Sequence, residues 1–96
     1  MEQPLYTSLK VNNEILLCEI SDMDVKRQVE RVLLRNRISY FVRWNKPGLF
    51  RRRYETCIFC INDNDKTIAE NAIRSLGKDV EQKVTFLMSK SPYDFF

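Results

Sequence analysis

The feature that most constrains this chain is a repeated change of hydrophobic period. Short segments that alternate apolar and polar residues are twice interrupted by stretches in which apolar residues recur every three or four positions. Period two belongs to strands and period 3.6 to helices. The clearest helical stretch runs from about Ser21 to Asn36. Val25, Val29, Val32 and Leu33 form its apolar stripe, and Lys26, Arg27, Glu30, Arg31 and Arg35 occupy the other face. Ser21 reads as its N-cap, with Asp24 three residues on in a capping-box-like arrangement. A second helix is expected from about Asn64 to Leu76, with Ile68, Ala69, Ala72, Ile73 and Leu76 as its stripe. Asn62 or Asp63 can cap it, and Gly77 suits the left-handed position that follows a helix.

Strands fill the remaining segments. Glu14–Ile20 is short and apolar. Ile38–Trp44 places Ile38, Tyr40, Val42 and Trp44 on one side and Ser39, Phe41 and Arg43 on the other. Arg53–Ile61 alternates, and Gln82–Met88 directs Val84, Phe86 and Met88 one way. Pro47-Gly48 marks a turn between the second and third strands. The order is therefore strand, helix, strand, strand, helix, strand. That is the split unit of ferredoxin-like α+β folds, a four-stranded antiparallel sheet with two helices on one face. The chain is expected to form one domain: an N-terminal strand segment over 1–13, a core over 14–88 and a tail over 89–96. Leu5, Thr7, Leu9 and Val11 alternate like a further strand, which forms a hairpin with Glu14–Ile20 or lies elsewhere on the sheet.

The expected core joins Leu16, Cys18, Val29, Leu33, Val42, Phe59, Ile61, Ile73, Leu76 and Phe86. With those residues inward, period two puts Ile15, Leu17, Thr56, Ile58 and Cys60 on the face the helices leave bare, and Phe41 and Leu87 extend that patch. A contiguous apolar face of this kind calls for a cover. A homodimer related by a twofold axis is one, and the N-terminal strand of the same chain is the other.

Composition narrows the chemistry. The 96 residues contain no histidine, so histidine-activated nucleophiles are excluded. Two isolated glycines make no phosphate loop. Cys57-Ile58-Phe59-Cys60 has metal or redox spacing, but residues three apart on a strand point to opposite faces. With only Cys18 besides, too few ligands remain for zinc, so the cysteines read as buried small side chains. Asp63-Asn64-Asp65 opens like a calcium loop, yet Ile68 stands where that loop needs glycine and Arg74 where it needs glutamate. Of the carboxylates, Glu19 and Glu55 lie among apolar strand residues and read as solvent-facing. An enzyme is not expected, nor a metal or cofactor. The absence of an apolar run near 20 residues and of a signal-peptide pattern leads to the expectation of a cytoplasmic protein without membrane association.

The formal net charge is +3. Arg43, Lys46, Arg51, Arg52 and Arg53 crowd around Trp44, Phe50 and Tyr54. Cations interleaved with aromatics suit single-stranded nucleic acid, through phosphate contacts and base stacking. A protein partner or a small anionic ligand is the other reading of Arg43, Trp44, Lys46, Arg51, Arg52, Arg53 and Tyr54.

The stretch Ile15–Leu76 resembles the DUF2007 family of small prokaryotic proteins described as signal-transducing. The likeness lies in a strand followed by Ser21-Asp22 opening a helix, then Leu33-Leu34-Arg35-Asn36-Arg37-Ile38 leading into Ser39-Tyr40-Phe41-Val42. It continues in Cys57-Ile58-Phe59-Cys60-Ile61 running into Asp63–Asp65. The resemblance covers about two-thirds of the chain and includes no catalytic or binding motif. It implies the same α+β core and says little about function. From the residues themselves, the expected function is a noncatalytic regulatory or interaction module, self-associating and binding a small ligand or protein, with single-stranded nucleic-acid binding through the basic hairpin as the alternative.

Overall fold

In the computed structural model, residues 14–45 and 55–90 are described. Strand β1 spans Glu14–Ile20, helix α1 Met23–Arg35, β2 Tyr40–Asn45 and β3 Thr56–Asn62. A single 3-10 turn, Asp63–Asp65, leads into α2 at Lys66–Arg74. A short α3, Lys78–Glu81, precedes β4 at Val84–Lys90. The four strands form one antiparallel sheet in the order β2-β3-β1-β4. The expected order of strands and helices is observed, and the arrangement is compatible with a ferredoxin-like fold.

Local chemistry accounts for the element ends. Helix α1 is capped by Asp22, not by Ser21. The Asp22 carboxylate accepts hydrogen bonds from the backbone N–H of Asp24 at 2.8 Å and of Val25 at 3.1 Å. Those bonds, the Val25 one foremost, and the nearby Lys83 ammonium hold its carboxyl below the usual carboxylate range. Gly77 does not close α2 in the left-handed helical region. It sits at φ +111°, ψ 164°, a region open to glycine alone, and starts α3. The α3 turn was not legible as a helix because four residues are too few to show a period.

One core unites sheet and helices. It contains Val25, Val29, Val32 and Leu33 of α1, Ala69 and Ile73 of α2, Val80 of α3, and Cys57, Phe59 and Ile61 of β3. Phe59 is fully buried and its ring lies 5.4 Å from that of Tyr40. Of the expected core residues, Val42, Leu76 and Phe86 pack against this cluster from its margin.

Leu16 is the exception, and the reason is a β-bulge. Leu16 pairs with Cys60 and Cys18 with Phe59, so β1 carries one residue more than β3 at Leu17. A bulge inserts a residue and resets the alternation. Ile15, Leu17, Cys18 and Ile20 all join the core in consequence, while Leu16 does not. Regular alternation would separate Ile15 and Leu17 from Cys18 and Ile20. Strand β4 is irregular at the same level, where Met88 takes φ +52°.

Candidate functional site

The sheet face opposite the core cluster carries the residues that follow from this register. Cys60 stands between Leu16 and Phe41, Ile58 between Glu19 and Arg43, and Thr56 faces Asn45. The expectation of a bare apolar patch is therefore corrected in two ways. Ile15 and Leu17 belong to the core on the other side of the sheet. Thr56, Ile58 and Cys60 do share the outer face, but they are 4%, 7% and 0% exposed. Phe41 and Leu87, on the flanking strands, are half-buried.

This face also carries paired charged and polar groups among its apolar side chains. Glu19 does not face solvent freely. Its carboxylate accepts from the Thr56 hydroxyl at 2.5 Å and from the Asn45 side-chain amide at 3.2 Å. Glu14, only 6% exposed, lies 3.5 Å from the Arg43 guanidinium. That guanidinium also stacks over the Phe41 ring at 4.7 Å. Glu55, in contrast, is exposed. Glu14 and Asn45 had no marker in the sequence, because each sits at a strand end where alternation is shortest.

Arg43 and Trp44 are consecutive on β2 and so point to opposite faces. Arg43 joins the Glu14 pair. Trp44 is 43% exposed and lies under the Lys26 ammonium of α1, 5.6 Å from its ring centroid. Lys26 in turn pairs with Glu30 at 3.0 Å, and Glu30 accepts from the Tyr40 hydroxyl at 2.9 Å. The helix α1 and the edge strand β2 are thus tied by one polar chain that ends at an exposed indole. Lys46, Arg51, Arg52, Arg53 and Tyr54 lie outside the described residues, as do residues 1–13.

The three thiols are free and buried. Cys57 and Cys60 lie on opposite faces of β3, and the Cys57 thiol donates to the Ile20 carbonyl at 3.3 Å. Burial pushes Cys57 up to about 11 and Cys60 up to about 12, the latter with help from the Glu14 carboxylate. Burial and its neighbouring thiols push Cys18 up as well. A reactive cysteine needs the opposite, a thiolate favoured by cations or a helix N-terminus. Among the described residues no three metal-ligating side chains gather.

A cleft of about 380 Å³ opens between Ile15, Asp63, Lys66, Met88 and Lys90. Its carboxylate, Asp63, pairs with Lys66 at 3.2 Å. Among the described residues no helix is long and apolar enough to cross a membrane. No family model matches the chain, and neither a curated protein nor a solved structure does.

Proposed function

We propose that this chain is a noncatalytic regulatory or interaction module on a ferredoxin-like frame, acting in the cytoplasm and docking its partner at the β2 edge. The observation that carries this is the contrast between its spent and its free groups. The thiols are buried with raised pKa values, and Glu14 and Glu19 hold structural hydrogen bonds and ion pairs. None of these is poised for chemistry. Trp44, by comparison, offers a large exposed ring on an edge strand, beside a cation. Tryptophan is among the residues enriched at the energetic centres of interfaces.

Trp44 is the only tryptophan, so its fluorescence reports on this edge alone. On binding or self-association the emission should shift to the blue as the indole leaves water. Emission that stays constant across a wide range of protein concentration and in the presence of an acidic polypeptide or a polynucleotide would count against the edge as the docking site. Sedimentation over the same concentration range separates self-association from capture of another partner.

A further inference from the structure

Charge is distributed unevenly along this chain. Residues 23–53 hold ten lysines and arginines against two carboxylates, and the other residues hold six against eleven. The modest total of +3 conceals a strongly basic middle. Within it, α1 carries Arg27, Arg31 and Arg35 at four-residue intervals, a row that rises about 6 Å per step. All three are exposed, and so is Arg37 just beyond the helix.

What distinguishes this row is its lack of counter-charge. Arg27 pairs with Asp24 in the first turn. The side chains of Arg31, Arg35 and Arg37 form no ion pair or hydrogen bond with any described residue. The other two arginines among the described residues have counter-charges: Arg74 of α2 lies between Glu70 and Glu81, and Arg43 meets Glu14.

Arg37 supplies a second, independent observation. Helix α1 ends in a Schellman turn, with the Ile38 N–H donating to the Leu33 carbonyl at 2.9 Å and the Arg37 N–H to the Leu34 carbonyl at 3.0 Å. The residue between must turn left-handed, and Arg37 does so at φ +59°. Glycine fills that position without strain, whereas a residue with a Cβ is disfavoured there. The fold therefore keeps a long cation where helix termination alone favours glycine. The exposed Arg37 guanidinium thus adds a further cation just beyond the end of the row.

We infer that the outer row of α1 and the turn that ends it dock the phosphate backbone of a nucleic acid. This rests on the reading of the chain as a binding module. Guanidinium groups grip phosphate oxygens in bidentate fashion and stay charged at any working pH. Evenly spaced cations match a ligand with evenly spaced anions, while an acidic protein surface interleaves its carboxylates with other groups. The Trp44 ring, tied to the same helix through Lys26, adds the exposed aromatic that single strands use for stacking.

The test compares the wild type with the triple variant Arg31→Gln, Arg35→Gln, Arg37→Gln, by anisotropy of a labelled single-stranded oligonucleotide and of a duplex of equal length over a salt series. Each lost single-strand phosphate contact removes about 0.7 from the slope of log affinity against log salt. The variant should therefore lose a slope of about 2 and at least tenfold in affinity at low salt, with its circular dichroism unchanged. Arg37→Gly alone should fold at least as firmly as the wild type and still give up about one contact. A triple variant that keeps the wild-type slope would overturn the α1 surface and leave the module reading intact. Retention of the wild type on polyglutamate but on neither oligonucleotide would make the partner an acidic protein and overturn the phosphate assignment. A wild type that binds no polyanion overturns it too, with the Trp44 measurement then deciding whether the module reading survives.

Discussion

Cys57 and Cys60 are three residues apart on one strand, equally buried, and surrounded by different chemistry. Cys57 lies in the core beneath the helices, its thiol on the Ile20 carbonyl. Cys60 lies on the opposite face, between Leu16 and Phe41, near the carboxylate of Glu14 and the guanidinium of Arg43. One face of β3 is buried by apolar packing from α1 and α2. On the other, the Glu14–Arg43 ion pair and the Glu19 hydrogen bonds to Thr56 and Asn45 run beside Ile58 and Cys60. The same strand thus lies against an apolar cluster on one side and beside paired polar and charged groups on the other, where each buried polar group needs a partner.

The largest expected effects test the apolar face. Phe59→Ala should cost ~3–5 kcal/mol, and Leu17→Ala ~2–5 kcal/mol, since both side chains are fully enclosed. Leu16→Ala, one residue away on the other face and half-buried, should cost clearly less. Urea unfolding of the three variants measures this. Equal losses for Leu16 and Leu17 would mean that the bulge does not divide the faces as described.

Those two leucines also mark where the sequence ceased to be legible. The order of elements followed from the change of period, and strand β1 was read with its observed ends. The periodic stripe of α1 named its buried residues because a 13-residue helix repeats the pattern more than three times. The direction of each β1 side chain did not follow. An alternation rule assumes an unbroken register, and Ile15-Leu16-Leu17-Cys18 is apolar at every position, so nothing in it flags an inserted residue. The outer face was misread for a related reason. Glu19 looks like a solvent-facing residue until the strands that supply Asn45 and Thr56 are set beside it, and nothing in the sequence marks Glu14 as the partner of Arg43. Arg43 and Trp44 were grouped by proximity in sequence, whereas a strand sends neighbours to opposite faces.

A middle-sized effect follows from two of the three thiols, Cys57 and Cys60, one on each face. A free thiol ionises at an ordinary value of 9.0, whereas Cys57 and Cys60 are pushed up to about 11 and about 12. Above pH 9 the unfolded chain releases these protons and the folded chain retains them, so stability falls as pH rises. The contribution is whole below pH 9 and is lost progressively up to pH 11–12. Each thiol loses on the order of 1 kcal/mol per pH unit inside that window. Cys57→Ala and Cys60→Ala should each flatten the pH dependence of unfolding between pH 9 and 10. If only one does, the faces are not equally dry.

The smallest effect probes the polar face itself. The Thr56 hydroxyl donates to Glu19 at 2.5 Å, and Thr56 is 4% exposed. Valine has the same shape without the donor, so Thr56→Val tests the hydrogen bond with little change in packing. A bond to a charged, half-buried partner should cost ~1–2 kcal/mol to remove, because the Glu19 carboxylate loses one of its donors. Thr56→Ser retains the donor and should recover most of the loss. Combining Thr56→Val with Glu19→Gln should give less than the sum of the two, by ~0.5 kcal/mol or more, since both touch one interaction. Strict additivity, or a gain in stability from Thr56→Val, would show that this face is held by apolar burial like the other. The contrast between Cys57 and Cys60 would then reduce to position on the strand.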